Sequence, residues 1–518
     1  MALVRNCMQS SRLAKIFLVL CVLGGSAWLQ YLMDDGLGIG FSQNVERNWE
    51  QFGLFNLHGK LVTNPGGFEA TTNPKILAGY SPICFYPAYF SAQIFAWTGL
   101  GTMSFHILLA LAVFWAVWDL LGRDNFAFAV AATAVLCPGY ARWQKLLDPN
   151  AICILFGLPY TAIVVSVLGK PRLAFGAIIG LFVLTLAFTS LNWSTVWILG
   201  PCTLLLLGLP QISRRAVILF IILAGASSSA IVIVSLLVKA GGSHSGTGNL
   251  AEFVRGYLWG DTGYGVGLTT GKAVLRLSFV NGIGLLPLLV IFAWPAAKYF
   301  QRGNPKNWLV ISPFALAVAE LAFMRNYFGH HPWMASPVLL AGLIFSLALW
   351  RVHIGPLAVA RGRTVPQPRA LFLPAIFLLS FIYGFAVMMF FRANETNQLS
   401  LVKLIRHHSK RSDCIVILKN LDPETAKMAS RLDDIFDRRV SVADDIGHLP
   451  ESKDQVVVLT SLPLSGAWNM MAQSSTDGTK SSSWLQHTAN WFNHSIARRR
   501  RGDRLELADA YFLYKPKP

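Results

Sequence analysis

Long apolar runs, separated by short basic turns and a few longer polar loops, fill the first 392 residues of the chain. The first run covers residues 16–33, about the length of a helix that crosses a bilayer. Two aspartates, Asp34 and Asp35, follow it at once. It is longer than a signal-peptide core and no small-residue cleavage site follows, so it is expected to be retained. About eleven such runs fit before Arg392, which predicts a polytopic helix bundle. Short turns at 122–125, 169–172, 211–215, 298–307 and 351–369 alternate with polar segments at 34–102, 139–150, 190–194, 239–281 and 325–333.

After Arg392 the pattern changes. CIVILKNL and QVVVLTSL read as short buried strands, DPETAKMASRLDDIFDRR has an Asp-Pro start and helical spacing, and RLELADAYFLYKP reads as a closing strand or hairpin. The expected fold class is therefore mainly α: a transmembrane bundle over residues 1–392, followed by a small α/β domain over 393–518. No internal repeat is apparent.

Composition agrees with a membrane protein. Of 518 residues, 54% are hydrophobic and only 14% charged, against about a quarter charged in soluble proteins. Mean hydropathy is +0.48. The net charge of +18 does not point to nucleic acid, because the basic residues are spread over short loops rather than gathered on one face. The amino-terminal Arg5, Arg12 and Lys15 have no acid among them, which predicts a cytoplasmic amino terminus. The short basic turns then fall on the same side, and an odd number of spans leaves the carboxyl-terminal domain outside. Most acids before Arg392 fall in the outer loops: Asp34, Asp35, Glu46, Glu50, Glu69, Asp148, Glu252 and Asp261. Acids contribute little to topology, so this bias asks for a functional reason. The basic run ARRRRGDR reads first as a solvated helix end, with contact to anionic headgroups as the alternative. Seven cysteines occur singly, without metal spacing; Cys21, Cys137, Cys153 and Cys202 fall in or beside apolar runs and read as packing residues.

The outer loops hold the candidate chemistry. FSQNVERNWEQFGLF reads as an amphipathic helix along the membrane surface, with Glu46 and Glu50 on its polar face. GKLVTNPGGFEATTNPKILAGYSP is rich in Gly, Pro and Asn and reads as irregular, and ICFYPAYFSAQIFAWTG as a second juxtamembrane helix. Asp148-Pro149 reads equally as a helix cap and as a carboxylate at the outer mouth of the bundle. FMRNYFGHHPWMASP places Arg325 and the pair His330-His331 between apolar runs. Arg suits phosphate through its planar fork, and histidine suits metal binding or proton transfer. Glu320 is a costly acid near a span end unless it is paired.

With these parts in order, the chain resembles the GT-C superfamily of integral-membrane glycosyltransferases, above all the lipid A aminoarabinose transferases and protein O-mannosyltransferases. The resemblance rests on the acidic pair Asp34-Asp35 after the first span, and on a Tyr/Pro-rich join between two juxtamembrane helices (Tyr80-Ser81-Pro82, then Tyr86-Pro87). It rests also on an outer Asp before the fourth span (Arg142 to Asp148) and an Arg-x-Tyr loop leading to prolines (Arg325, Tyr327, Pro332, Pro337). It implies transfer of a sugar from a polyprenyl-phosphate donor to an acceptor outside the cytoplasm, at a bacterial inner or plasma membrane. The acceptor could be a glycan, a lipid or a protein.

On that reading Asp34, Asp35 and Asp148 are the catalytic candidates, and Arg325, Arg276, Lys272 and Tyr327 the donor-phosphate candidates. His330, His331, Glu320, Tyr80 and Tyr86 are supporting residues. Direct attack on the anomeric carbon would invert its configuration. No cofactor is required by the sequence. A divalent metal is left open, with Asp35, Asp148 and His330 as candidate ligands, because the GYSP join lacks the acid and second proline that accompany the metal in aminoarabinose transferases. The alternatives are a lipid-linked polysaccharide polymerase or ligase, a transporter or flippase, and a non-catalytic relative. A polymerase or ligase would rely on a large late Arg-rich loop. A transporter would be expected to show polar mid-membrane residues and paired broken helices.

Overall fold

The structure is a computed structural model that describes residues 15–29, 40–67, 69–76, 82–98, 103–145, 149–191, 193–241, 270–299, 305–323, 335–353, 373–392, 404–419, 438–444, 456–460, 468–475 and 510–516. Its contacts divide the chain into two compact units. The first comprises Met1–Tyr31, Tyr86–Gln144 and Pro149–Val387; the second comprises Leu32–Phe85, Lys145–Asp148 and Met388–Pro518. The first outer loop thus groups with the carboxyl-terminal segment, where the sequence pattern groups it with the spans.

The first unit is helical. Helix α1 is Lys15–Leu29. After α2, which belongs to the second unit, come α3 (Tyr86–Ile94), α4 (Met103–Leu120), α5 (Asn125–Leu136), α6 (Pro138–Lys145), α7 (Pro149–Leu168), α8 (Phe175–Leu191), α9 (Val196–Gly208) and α10 (Arg214–Gly241). Then follow α11 (Thr270–Tyr299), α12 (Pro305–Phe323), α13 (Ala335–His353) and α14 (Leu373–Arg392). Among the described residues four helices are long and apolar enough to cross a membrane: α4, the Arg214–Ile231 part of α10, α12 and α13. Shorter apolar helices accompany them, including α1, α5 and α8. Helices are the form expected here, because in hydrocarbon each backbone polar group must find its partner within the segment.

Helix α13 is the hub of this unit. Its residues are buried almost without a break from Ala335 to Trp350, and it packs against α12, α9 and α11. Small residues bring the backbones close. A Cβ on Gly342 of α13 would lie 2.9 Å from Ala317 of α12, and one on Gly208 of α9 would lie 2.5 Å from Leu349. The same device holds α1. A Cβ on Gly25 would meet Phe381 of α14 at 3.1 Å, and one on Gly384 of α14 would meet the Leu136 carbonyl at 2.7 Å and Leu29 at 3.1 Å. The helix that leads to the acidic pair is therefore seated against α5 and α14.

Asp124 and Arg351 join two turns that the charge pattern puts on one side. Arg351 donates two hydrogen bonds to the Asp124 carboxylate, at 2.8 and 2.6 Å, and its guanidinium lies 5.6 Å from the Phe126 ring centroid. Asp124 also caps α5, accepting from the Ala127 amide at 2.9 Å. The preceding Gly122 has φ +91 and Arg123 φ +58, a tight left-handed turn that glycine makes easy.

The second unit contains α2 (Gly40–Phe52) and a five-stranded sheet: β1 (Cys414–Leu418), β2 (Arg439–Ala443), β3 (Val456–Thr460), β4 (Trp468–Ser475) and β5 (Ala510–Pro516). The strand order is β2-β1-β3-β5-β4; β1 pairs parallel with β2 and β3, and β5 pairs antiparallel with β3 and β4. The runs read as buried strands are β1 and β3, and the closing run contributes β5. Val416, Leu418, Ala443, Val456, Val458 and Tyr514 form a core of this sheet. A parallel β1–β2 pair needs a crossover connection. The helix expected over residues 422–439 lies in that connection, and its residues up to 437 are outside the described residues.

The Asp124 carboxylate both caps a helix and holds Arg351, so its loss should cost more than the loss of its partner. Asp124→Ala is expected to lower unfolding stability in detergent by about 1–3 kcal/mol, and Arg351→Ala by less, since the cap survives. A double-mutant cycle on denaturation midpoints checks this. Equal effects of the two single variants would mean that the cap contributes nothing.

Candidate functional site

The sequence candidates Asp34, Asp35, Tyr80, Asp148, Arg325, Tyr327, His330 and His331 lie outside the described residues. Lys272 and Arg276 fall on the first two turns of α11. Two candidates can be followed in detail. Tyr86 opens α3, half-buried, with its ring 6.2 Å from that of Phe90; burial pushes its hydroxyl above the usual phenol range, so it keeps its proton. Glu320 stands on α12 with its Oε2 buried and without a hydrogen-bond partner among the described residues. Its Oε1 would lie 3.2 Å from a Cβ on Gly200 of α9, so the missing side chain at Gly200 makes room for the carboxyl. The basic partner expected for Glu320 is not found among the described residues; Arg325, the candidate for that pairing, is outside them.

What the structure does build, five residues after Asp35, is the outer-loop frame. Helix α2 turns back at Gly53 (φ +86), and residues 57–64 return along it. Asn48 donates to the Val62 carbonyl at 2.8 Å and the Asn64 carbonyl at 3.1 Å, while Asn44 reaches the Thr63 carbonyl at 3.5 Å. Trp49 is fully buried, donates Nε1–H to the Lys60 carbonyl at 2.8 Å and meets Phe85 edge-on at 6.4 Å. Asn64 in turn donates to the Asn73 carbonyl at 3.2 Å and accepts from the Lys75 amide at 2.6 Å. Val62 and Ile76 form an antiparallel bridge. The segment read as irregular is irregular in secondary structure, yet side-chain amides fix its path. The sequence carries a signal for this in the Asn44–Asn48 repeat at helical spacing, since asparagine is a poor helix former unless its amide is used.

The polar face expected for α2 needs correction. Glu50 is exposed, but Glu46 is only 7% exposed and its Oε1 has no hydrogen-bond partner among the described residues. The returning chain turns part of that face into interior. Burial, helped by the nearby Glu50 charge and opposed by Arg47, raises the Glu46 pKa to about 8. Glu46 is thus mostly a neutral acid at pH 7.

Arginines flank the other side of α2. Arg411 donates to the Arg47 carbonyl (2.9 Å), the Gln51 side chain (2.7 Å) and Asn48 Oδ1 (2.8 Å). Arg47, Glu50, Gln51, Arg411 and Arg438 line an open depression of about 400 Å³. Neither Arg411 nor Arg438 stands out in the sequence, because both lie far from α2 along the chain and carry no motif.

Among the described residues no group of three or more His, Cys, Asp or Glu side chains is placed to hold a metal. The candidate ligands Asp35, Asp148 and His330 are outside them.

These features define a class of protein: an integral-membrane chain with a unit of apolar helices and a second unit that groups a polar loop with a five-stranded sheet. No protein-family model matches the chain, and no characterised protein matches its sequence. Among solved structures it is similar to the arabinofuranosyltransferase AftD from Mycobacteria, with 15% identity over 77% of this chain and a TM-score of 0.44. It is similar to ArnT from Cupriavidus metallidurans in the apo state, with 12% identity over 83% of this chain and 86% of that one, TM-score 0.40. It is also similar to the apo oligosaccharyltransferase of Archaeoglobus fulgidus, with 11% identity over 82% of this chain and 64% of that one, TM-score 0.40. The chain spans 29% of the length of AftD. Two of the three are by name sugar-transferring enzymes, an arabinofuranosyltransferase and an oligosaccharyltransferase. At these scores nothing about residues, donor or acceptor follows from them.

The buried Glu46 gives a pH signature. Its carboxyl binds a proton more tightly in the folded chain than in the unfolded one, whose value is near 4.5. Between about pH 4.5 and 8 the folded state therefore holds more protons, and stability falls as pH rises through this window. Glu46→Gln should flatten that slope, with the variant's relative melting temperature greatest at pH 8 and above. Melting curves from pH 5 to 9 for both proteins test it; parallel curves would mean that the carboxyl is not held neutral.

Proposed function

We propose that this protein is an integral-membrane, inverting glycosyltransferase that moves a sugar from a polyprenyl-phosphate donor to an acceptor outside the cytoplasm. The observation that carries the reading is the acidic pair Asp34-Asp35, which in the sequence follows the first apolar run and precedes a helix, α2, that is fixed by hydrogen bonds. Carboxylates at a span end are costly unless used, and a base on a loop needs a frame that holds it in place.

In this chemistry an acceptor hydroxyl attacks the anomeric carbon. Its oxygen–carbon bond forms as the carbon–oxygen bond to the donor phosphate breaks, and the polyprenyl phosphate leaves with the bonding electrons. The hydroxyl proton passes to Asp34 or Asp35, a membrane-edge carboxylate acting as general base. Arg325 balances the charge that grows on the phosphate, more in the transition state than in the ground state. Lys272 and Arg276 on α11 are further cations for the donor phosphate, and Asp148 is a further carboxylate for the same reaction. The apolar helices offer the polyprenyl chain a lateral path from the bilayer.

Asp34→Asn and Asp35→Asn preserve shape and remove the base, and at least one should lower transfer by about two powers of ten or more. Full activity in both single variants and in the double variant, at normal expression, would remove the pair from catalysis. Arg325→Ala should lower turnover by about two powers of ten, with Lys restoring only part, because an ammonium lacks the planar fork. Mass spectra of surface glycans from cells with and without the protein give the broader test. Identical glycans would leave the transferase reading without support.

A further inference from the structure

Arg411 stands in a turn three residues after a short helical segment, residues 404–408, and just before β1. The turn that presents it is held from several sides. Asp413, 2% exposed, accepts from the Lys410 amide at 2.8 Å and pairs with Lys515 of β5 at 3.5 Å. Ser409 accepts two hydrogen bonds from Arg438, through its hydroxyl at 3.2 Å and its carbonyl at 2.9 Å. Arg438 is itself buried, beside the start of β2. The guanidinium of Arg411 thus comes from a platform tied to two strands, and side chains so supported can hold a partner in one geometry.

The partner is α2. Arg411 spans a full turn of it, from the Arg47 carbonyl to Gln51, and takes the Asn48 carbonyl oxygen while the Asn48 amide holds Val62 and Asn64. One guanidinium therefore reaches the helix and, through Asn48, the chain that returns along it. The backbone fits as closely. Pro65, Gly66 and Gly67 are buried, with φ +64 at Gly66 and +74 at Gly67. A Cβ on Gly66 would lie 2.5 Å from the Arg411 carbonyl oxygen, so the outer loop touches this turn where only glycine fits. A Cβ on Gly67 would strike Phe52 and Gln51 of α2, at 2.8 and 2.9 Å.

We propose that the carboxyl-terminal domain serves as a clamp for the outer loop, with Arg411 its positioning residue, setting the place of α2 and through it the acidic pair five residues upstream. The catalytic half of this inference rests on the transferase reading. The mechanical half does not. The domain then needs no active site of its own. It limits the freedom of a loop whose short helix would otherwise be only marginally stable, and pre-set geometry is worth large factors in rate when a base must meet a hydroxyl.

The test uses the full-length protein in detergent or nanodiscs, as Arg411→Ala, Arg411→Lys, Gln51→Ala and the Arg411→Ala/Gln51→Ala pair. Hydrogen exchange is followed by mass spectrometry, and sugar transfer by kcat and KM for the donor. In Arg411→Ala, exchange should rise about tenfold or more over residues 44–52 and 60–67, while β1 and β3 keep their protection. The fall should be in kcat, by about tenfold or more, with KM for the donor within about twofold. Lys should restore part of both, and the Gln51 effect should be smaller in the Arg411→Ala background than alone. Unchanged exchange in α2 would overturn the clamp. So would loss of protection across the sheet, which would make Arg411 a folding residue; a loosened α2 with unchanged kcat would overturn the catalytic half, the positioning of the acidic pair. A wild-type protein with no transferase activity would sink the transferase reading, and the exchange measurements would still decide the clamp.

Discussion

Hydrogen bonds from a few side-chain amides and one guanidinium hold the outer loop, where apolar burial alone cannot. A segment such as residues 53–76 is rich in Gly, Pro, Asn and Thr; it buries Leu54, Leu57, Leu61 and Val62, but without a regular ladder its backbone polar groups must be met one by one. Asn44, Asn48, Asn64 and Trp49 meet carbonyls of this segment, and Arg411 holds α2, along which the segment returns. Each bond is individually modest, but together they fix the path of residues 44–75.

The helical unit follows a different physics. Its helices are apolar nearly all round, so hydrophobicity does not choose which faces meet. Close approach at small residues does: Gly342 against Ala317, Gly208 against Leu349, Gly25 and Gly384 where α1 meets α5 and α14. At the bundle's polar margin the choice is electrostatic, and Asp124 and Arg351 tie the α4–α5 turn to the end of α13. Two acids, the half-buried Glu320 and the buried Glu46, are the exceptions in both units. Each has a carboxyl oxygen with no hydrogen-bond partner among the described residues, a costly arrangement that makes both positions sensitive to substitution.

The seven described shorter apolar helices and the four full-length ones place this chain among polytopic membrane proteins, and the parallel β2-β1-β3 core beside an antiparallel pair gives the carboxyl-terminal sheet its own architecture. The first polar loop and that sheet belong to one compact unit, Leu32–Phe85 with Lys145–Asp148 and Met388–Pro518. Arg411, 360 residues from Gln51 along the chain, is the residue on which that grouping is most visible.

What the sequence determines by itself is whatever depends on local pattern. Apolar length marks the helices, because the bilayer imposes a length and a composition on any segment that crosses it. Unbroken runs of Val, Ile and Leu mark β1 and β3, since a strand buried on both faces has no polar side to show. The Asp124 cap and the turn at Gly122 are equally local. The sequence also puts acids in the outer loops, and with them the candidates Asp34 and Asp35. Tertiary structure alone decides which acids are buried. Glu46 and Glu50 are one helical turn apart and alike in sequence, yet the returning chain leaves one in the interior and the other exposed. It alone decides that Gly200 makes room for Glu320, and that Arg411 lies on α2. These are contacts between distant segments, and no periodicity in a single segment encodes which distant side chain will satisfy it.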